Sequence, residues 1–338
     1  MAMTIYDISK KAGVSIATVS RVLNDSENVR PSTRKKVMDV IDKYDYTPNA
    51  FARGMGLHSL KTIGILCADS SDLFLAKAVY FLEQELQANG YESLLCCTGY
   101  NLDIKKNYLN LILSKKVDSI ILVGSHFIGS TEDENQYIKD VSTQVPIMLL
   151  NASFDHPNVY STLCDDYGTM FEAATEMIQA GITDILYLYD SKSYSGLKKL
   201  HGFCDAMKEY NIPGFEKLIH FYDGNIEHLN EVADFVARIA TKGTSFHGIM
   251  TSDDSLAIGS IKYAQKKGIR IPEELSVMGY NNSMLTNCCT PELTSVDNRL
   301  ETLTHQLVQT LLGVLAGEEM PKKSIFSGKI IKRGTTLF

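Results

Sequence analysis

The chain has 338 residues, 44% of them hydrophobic and 22% charged, with 8 Pro and 23 Gly. This composition excludes a disordered or collagen-like chain, and the charges that interrupt its apolar runs argue against a membrane-spanning one. The net charge of −7 at first argues against a nucleic acid partner. However, residues 1–60 hold nine Lys and Arg against six Asp and Glu, whereas residues 61–338 hold 24 against 34. A head of charge +3 on a body of charge −10 predicts a small polyanion-binding segment.

Signals for export and for metal binding are absent from the sequence. The N-terminal residues contain no basic stretch followed by an apolar one, so we expect no secretory signal and a cytoplasmic location. The seven cysteines have no C-x-x-C spacing, and the eight histidines have neither H-x-x-x-H nor H-E-x-x-H spacing. We therefore expect free, mostly buried thiols, no metal site and no membrane association.

The first sixty residues predict a three-helix unit with a helix-turn-helix. Gly13 follows the first helical segment at a position that suits a left-handed turn, and Ser15 is a good N-cap for a second helix over 16–23. A third amphipathic helix is expected to be capped near Ser32 and to close the core. The apolar residues at helical spacing in the three segments are Ile5, Ile8, Ala12, Val19, Val22, Leu23, Val37, Val40, Ile41 and Tyr44.

The predicted second helix leaves a face of small or apolar residues and one arginine exposed, which suits a DNA major groove. Arg21 can bond guanine O6 and N7, while Ile16 and Ala17 can contact a thymine methyl group or base edges. Other polar residues of the unit are expected to hold phosphates and fix the register: Tyr6, Ser15, Thr18, Ser20 and Asn24. The alternative is that Arg21 is a solvated surface residue on a plain helical bundle.

Residues 5–9 (IYDIS) and 12–24 (AGVSIATVSRVLN) resemble the head of the LacI/GalR family of bacterial repressors. The resemblance implies a homodimer that places two such heads on a pseudo-palindromic, double-stranded operator. It also implies that Ile16, Ala17 and Arg21 occupy the base-reading positions.

Residues 46–55 (YTPNAFARGM) resemble the hinge helix of the same family. Pro48 favours a helix start, but Gly54 and Gly56 disfavour a stable isolated helix. The resemblance implies a hinge that folds against its dimer mate in the operator's minor groove. Met55 occupies the position where the family usually has a leucine wedge, and its apolar side chain is compatible with that role. The alternative is a plain flexible linker.

From residue 61 onward, short β-rich runs alternate with amphipathic helices, which predicts two doubly wound parallel α/β sheets. The predicted strands are 62–67, 93–97, 119–123, 147–151, 185–189, 218–222, 248–251 and 275–279. The predicted helices are 74–89, 103–115, 134–142, 168–180, 197–210, 228–240 and 255–267. Gly90, Gly181 and Gly268 end three of these helices just before the next strand. Because ligands bind at the carboxyl ends of such strands, two facing sheets predict a ligand cleft.

Residues 251–259, 271–282 and 291–296 resemble the C-terminal signature of the same family, whose body has a periplasmic-binding-protein-like fold. The resemblance therefore covers essentially the whole chain. It implies a helix-turn-helix head, a hinge and a body at residues 1–46, 47–60 and 61–338. It further implies chain crossings near 160, 290 and 320, with an N-subdomain of 62–160 plus 291–320 and a C-subdomain of 161–290 plus 321–338.

Most candidate effector-binding residues directly follow the predicted strands: Asp72, Phe74, Ser125, Phe127, Asp190, Asp253 and Asn281. Carboxylates and amides accept hydrogen bonds from sugar hydroxyls, and Phe74 or Phe127 can cover the apolar face of a sugar ring. Lys199 occupies the place of a family arginine that binds the effector, and a lysine offers a point charge without a planar fork. Asn281 likewise replaces a frequent family Asp, and both changes favour a neutral polyol or sugar over a clamped anion.

The adjacent carboxylates Asp253 and Asp254 could be an acid/base pair, but adjacent residues at a strand-to-helix junction normally point in different directions. We expect Asp254 to cap the helix that follows. No nucleophile elbow, P-loop or strand-preceded dinucleotide motif occurs, so we expect neither an enzyme nor a cofactor.

Together with the resemblance, these features predict a dimeric transcriptional repressor of carbohydrate-utilisation genes, controlled allosterically by a sugar-type effector in the cleft. Two alternatives remain open. One is a cytoplasmic sugar-binding or sugar-cleaving protein whose head mediates protein contacts, and the other is a LacI-type regulator that uses a non-sugar corepressor.

Overall fold

The computed structural model describes residues 3–23, 28–46, 59–241 and 243–338. The predicted DNA contact Asn24, the predicted wedge Met55 and most of the predicted hinge lie outside these residues. The helices are α1 (Ile5–Ala12), α2 (Ile16–Leu23), α3 (Pro31–Lys43), α4 (Leu73–Ala88), α5 (Leu102–Ser114), α6 (Gln136–Ser142), α7 (Asp166–Gln179), α8 (Tyr194–Glu209), α9 (Leu229–Thr241), α10 (Asp254–Lys267) and α11 (Leu300–Leu315). None of the helices in the described ranges is long and apolar enough to cross a bilayer.

The strands form two six-stranded sheets. They are β1 (Thr62–Cys67), β2 (Glu92–Cys97), β3 (Ser119–Val123), β4 (Ile147–Leu150), β5 (Val159–Cys164), β6 (Ile185–Tyr189), β7 (Ile219–Phe221), β8 (Gly248–Thr251), β9 (Ser276–Tyr280), β10 (Thr294–Asp297), β11 (Lys323–Phe326) and β12 (Lys329–Ile331). The first sheet has the order β11-β5-β4-β3-β1-β2 and the second β12-β10-β9-β8-β6-β7. Within the described ranges, all strand pairs are parallel except β10 with β12. The predicted α/β class with a three-helix head is therefore confirmed.

The head folds as the sequence pattern predicts at its first turn. Thr4 and Asp7 form a capping box at the start of α1, and Gly13 ends this helix with a left-handed φ of 65°. The Ser9 hydroxyl donates to the Val14 carbonyl at 2.7 Å and fixes the turn between α1 and α2. The buried core of the head consists of Ile8, Val19, Val22, Val37 and Tyr46.

Two predictions for α3 are wrong. The helix begins at Pro31 rather than after a Ser32 cap, because proline at the first helical position needs no hydrogen-bonded N–H. At the other end, α3 stops at Lys43, so Tyr44 no longer follows the helical spacing and remains exposed, with the Lys11 ammonium 4.3 Å from its ring centre. Tyr46 enters the core in its place.

Each sheet is covered by helices on both faces. In the first sheet, α4 and α11 pack on one face through leucines such as Leu82 and Leu307, and α5 and α6 pack on the other. In the second sheet, α9 and α10 cover one face, and α7 and α8 cover the other. The strand β2 differs from the prediction of a buried strand, because it pairs with β1 alone at the sheet edge. Leu95 on this strand is 45% exposed.

The chain passes between the two sheets three times, each time later than the predicted crossings at 160, 290 and 320. The passages lie between β5 and α7, between β10 and α11, and between β11 and β12. Strand β10 therefore belongs to the second sheet and β11 to the first, contrary to the predicted subdomain bounds. The sequence missed these crossings because β5, β10, β11 and β12 are short or partly polar strands without a clear buried-strand pattern.

Candidate functional site

The exposed face of α2 carries the three residues predicted to read bases. Ile16, Ala17 and Arg21 are all exposed, whereas Val19 and Val22 on the opposite side are buried in the head core. Because these three side chains lie outside the head core, the face can present apolar groups and one guanidinium to DNA while the core stays packed. It therefore has the shape and chemistry that a major groove admits.

Of the described residues predicted to hold phosphates, Ser15 and Thr18 lie at the beginning of α2, Ser20 lies further along it and Tyr6 lies on α1. Tyr6 and Ser15 are exposed, and Thr18 and Ser20 are partly buried. The Ser15 hydroxyl accepts from the Thr18 amide at 3.1 Å and lies 2.8 Å from the Thr18 hydroxyl. Ser15 thus caps the helix at the end where the helix dipole favours an anion such as phosphate.

The carboxyl ends of strands from both sheets border one cleft. The predicted effector residues that line it are Asp72, Phe74, Ser125, Asp190, Lys199, Asp253 and Asn281. The first three come from the first sheet and the others from the second, so the fold brings together positions that are up to 209 residues apart in the chain. The main cavity in this cleft has a volume of about 820 Å³, within the range of small-molecule sites.

Phe127 does not belong to this group, contrary to the sequence prediction. Its side chain is 1% exposed and packs in the core between the first sheet and α5 and α6. The chain makes a single 3-10 turn over Ser125–Phe127, and this turn directs Ser125 and His126 to the cleft and the Phe127 ring into the core. His126, which the sequence did not single out, therefore lines the cleft instead.

Asp72, Asp190 and Asp253 line the inner part of the cleft, where their carboxyl groups repel one another. Burial and the neighbouring charges of Asp190 and Asp254 raise the pKa of Asp253 to about 7. Burial also raises the pKa of Asp72, and the charge of Asp190 adds to the effect. Asp190 accepts a hydrogen bond from the Ser252 hydroxyl at 2.8 Å. A ligand that donates hydrogen bonds to these oxygens would reduce the repulsion between them.

The prediction that Asp254 caps α10 is wrong, because the cap is Asp253, which also lines the cleft. Asp253 is the N-cap of α10 and accepts from the Ser255 amide at 2.7 Å. Asp254 is buried in the first turn, where its oxygens accept from the Ser295 hydroxyl and the Ser283 amide, both at 2.6 Å. Asp254 therefore connects α10 to β10 and to the loop after β9.

Both polar atoms of the Asn281 side-chain amide are hydrogen-bonded. Its Nδ2 donates to Asp253 at 2.8 Å, and its Oδ1 accepts from Asn298 at 3.0 Å. The residue has a φ of 97°, which asparagine tolerates better than most side chains. This backbone turn after β9 directs the amide toward the cleft.

Lys199 forms part of a buried polar network at the floor of the cleft. Its ammonium donates to the Ser252 carbonyl at 3.0 Å and lies 3.8 Å from the ring centre of Tyr280. Asp166, which is fully buried, accepts from the Tyr280 hydroxyl at 2.7 Å and from the Ser195 hydroxyl at 2.5 Å. Asp166 and Ser195 were not predicted from the sequence, although Asp166 directly follows a strand end as the other candidates do.

Two hydrogen bonds join the walls of the cleft. The Ser125 hydroxyl donates to the Ser193 hydroxyl at 2.8 Å, and the Asn151 amide donates to the Ser195 hydroxyl at 3.3 Å. In each pair the first residue belongs to the first sheet side and the second to α8 of the second sheet side. These polar contacts therefore connect the two sides of the cleft directly.

A helix-turn-helix head joined to a two-sheet body with a polar cleft defines the class of DNA-binding regulators with a periplasmic-binding-protein-like body. The model of the lacI family of bacterial regulatory proteins matches residues 4–49, and that of the periplasmic-binding-protein-like domain matches residues 174–336. An HTH-type transcriptional regulator of Lachnoclostridium phytofermentans is 49% identical over 99% of this chain and 100% of its own length. Catabolite control protein A of Priestia megaterium is 32% identical over 88% of this chain and 87% of its own.

The chain therefore belongs to the lacI family, and it is a DNA-binding transcriptional regulator rather than an enzyme. Solved structures agree on the fold. The lac repressor dimer bound to operator and the anti-inducer ONPF has a TM-score of 0.88 at 21% identity, over 100% of both chains. The cellobiose complex of the regulator CelR has a TM-score of 0.71 at 20% identity, over 98% of this chain and 99% of its own.

Proposed function

We propose that this chain is a cytoplasmic, dimeric repressor of carbohydrate-utilisation genes that leaves its operator when an unphosphorylated sugar binds in the cleft. In this proposal Ile16, Ala17 and Arg21 read base edges in the major groove. Tyr6, Ser15, Thr18, Ser20 and Asn24 hold phosphates. The hinge at residues 47–60, with Met55 as a minor-groove wedge, remains a prediction from the resemblance.

The observation that carries the sugar assignment is the acceptor-rich wall of the cleft. Asp72, Asp190 and Asp253 contribute carboxylates, which accept hydrogen bonds from vicinal hydroxyls. Among the described residues that border this part of the cleft, Lys199 is the one Lys or Arg, and its ammonium already donates to a backbone carbonyl. An anionic effector would meet repulsion from the three carboxylates with little compensation, whereas a neutral polyol would not.

The contacts across the cleft suggest how a sugar controls DNA binding. A ligand that replaces the bond between Ser125 and Ser193 has a different affinity for the open and closed arrangements of the two sheets. Such differential affinity is the free energy that shifts the population between an operator-binding and a released state. The solved complex of the regulator CelR with cellobiose supports the placement of a sugar in a body of this fold.

The proposal is tested by a thermal-shift screen of unphosphorylated mono- and oligosaccharides on the purified protein. A bound sugar should raise the melting temperature by mass action, and the same sugar should release a fluorescently labelled promoter fragment in an anisotropy titration. Hits confined to purines or amino acids would overturn the sugar assignment.

A variant that lacks residues 1–58 is the matched control for the DNA-binding part of the proposal. It should keep the sugar-induced thermal shift, because the cleft is built entirely from later residues. It should lose promoter binding. Unchanged promoter occupancy by this variant would contradict the assignment of the head as the DNA-reading unit.

A further inference from the structure

We propose that the effector is an unphosphorylated oligosaccharide chain of at least two rings, an inference that rests on the proposed sugar-responsive function. The cleft consists of an outer cavity of about 820 Å³ and a side cavity of about 440 Å³. The two have His126, Asp190 and Ser191 in common among their lining residues, so they lie next to each other. Typical small-molecule pockets measure ~300–1,000 Å³ for drug-sized ligands, and one sugar ring is smaller than such a ligand. A single ring would leave most of the outer cavity to water.

The outer cavity offers apolar surfaces on both of its walls. Phe74 and Tyr100 line it on the side of the first sheet, and Phe221, Ile226 and Leu229 line it on the side of the second. Tyr100 is 56% exposed although it is a large aromatic residue, and its ring meets His126 edge-on with the centres 4.8 Å apart. An exposed aromatic face beside a polar cavity suits the apolar C–H face of a sugar ring.

The charge of the outer cavity indicates which kind of saccharide fits it. Its lining includes six carboxylate residues and, among the described residues, no Lys or Arg: Asp69, Asp72, Asp190, Asp223, Glu227 and Asp253. The ammonium of Lys192 lies nearby, 4.7 Å from the ring centre of Phe221. Acceptors spread along the whole cavity can bond the hydroxyls of successive rings, whereas a phosphorylated sugar would be repelled.

The side cavity lies next to the outer cavity, on the other side of His126. Ser191 and Ser193 border it from the second sheet, and Lys105 and Tyr137 border it from the first. The buried Lys105 ammonium donates to the His126 carbonyl at 2.6 Å and thereby holds the turn that separates the two cavities.

Isothermal titration of the full-length protein with matched saccharide series tests this inference. Each series contains the monosaccharide and its di-, tri- and tetrasaccharides, for gluco-, galacto-, xylo-, manno- and fructo-oligosaccharides. We expect at least one series in which the trisaccharide binds about tenfold or more tightly than its monosaccharide. A monosaccharide that binds as tightly as its own trisaccharide overturns the inference but leaves the sugar-responsive function intact. Failure of every saccharide to bind overturns the proposed function itself.

Variants of Tyr100 test whether a second sugar ring contacts this residue. Tyr100→Ala should weaken trisaccharide binding about tenfold and monosaccharide binding by a much smaller factor, and Tyr100→Phe should restore the trisaccharide affinity. Tyr210→Ala, at an exposed tyrosine outside the cleft, is the control and should change neither affinity. Equal losses for the mono- and trisaccharide in Tyr100→Ala would overturn the placement of a second ring against this residue.

Discussion

Arg21 is the one cationic residue of α2, and it lies on the exposed face of that helix. If it bonds a guanine, Arg21→Ala should weaken operator binding about 10- to 100-fold, since a bidentate base contact contributes ~1–3 kcal/mol of discrimination. Binding to unrelated DNA at low salt should change far less. Fluorescence anisotropy with operator and scrambled duplexes measures both.

Lys36→Ala is a suitable control for Arg21→Ala, because Lys36 is an exposed cation of the head that lies on α3. It should lower operator and scrambled-duplex affinities to a similar, small extent. Equal behaviour of the two variants on both duplexes would show that Arg21 contributes charge and not sequence recognition.

Asp253 makes the stability of the body depend on pH. Its pKa of about 7 in the folded protein is above the ordinary value of 3.8, so the folded state holds a proton between about pH 4 and 7 that the unfolded state has released. The contribution of this group to stability therefore falls as the pH rises through that range. In Asp253→Asn the drop in melting temperature between pH 5 and pH 8 should shrink by a few degrees, about 3–6 °C.

Differential scanning calorimetry without ligand checks this pH dependence, and asparagine retains the ability to cap α10. Asp223→Asn, at an exposed carboxylate on the outer wall, is the control and should keep the wild-type pH profile. An identical profile for Asp253→Asn and the wild type would mean that Asp253 does not titrate in this range.

Residues of the site could be predicted from the sequence where a polar side chain follows a predicted strand. Asp190 and Asn281 come straight after β6 and β9, and Asp72 lies in the loop that follows β1. The carboxyl ends of these strands meet in the cleft. The sequence could not show that His126 rather than Phe127 lines the cleft, because one 3-10 turn decides which of these neighbouring side chains enters the core. The same holds for Asp253 and Asp254, where a shift of one residue in the helix start reverses which of them is the cap.

At the scale of elements, the bond from Ser125 to Ser193 connects the turn after β3 to the beginning of α8. Ser125→Ala removes this bond and leaves Ser193 as the cap of α8. Because a neutral hydrogen bond contributes ~0.5–1.5 kcal/mol, the ligand-free population should shift toward an open cleft by up to about tenfold. Small-angle scattering should report a larger radius of gyration.

Ser70→Ala, at an exposed serine beside the cleft, serves as the control for Ser125→Ala. Its scattering profile should match that of the wild type. A profile for Ser125→Ala that also matches the wild type would mean that other contacts hold the cleft closed in solution.

Long amphipathic helices and strongly apolar strands were predictable to within a few residues, because their periodicity extends over many positions. Strands β10, β11 and β12 were not, since each has only three or four residues and several of these are polar. Their formation depends on partner strands that are distant in the sequence. For this reason, the predicted positions at which the chain passes between the two sheets were several residues too early.

For the whole molecule, the separation of charge between head and body predicts a strong dependence of DNA binding on salt. If only the head and hinge contact the duplex, operator affinity should fall about 10³-fold or more between ~50 and ~200 mM salt for six or more phosphate contacts. Lys10→Ala, at an exposed cation on α1, should reduce the slope of log affinity against log salt by about one if Lys10 neutralises a phosphate. Lys115→Ala, in the acidic body, should leave that slope unchanged.

The last strands of the chain, β11 and β12, complete one edge of each sheet. On the ribosome, neither sheet can therefore be finished until residues 323–331 have emerged, whereas the three helices of the head are complete about 280 residues earlier. A nascent chain thus carries a folded DNA-reading head long before it has an effector-responsive body. A premature stop codon at residues 327–329 would remove β12, an edge strand of the second sheet, and leave the head unaffected.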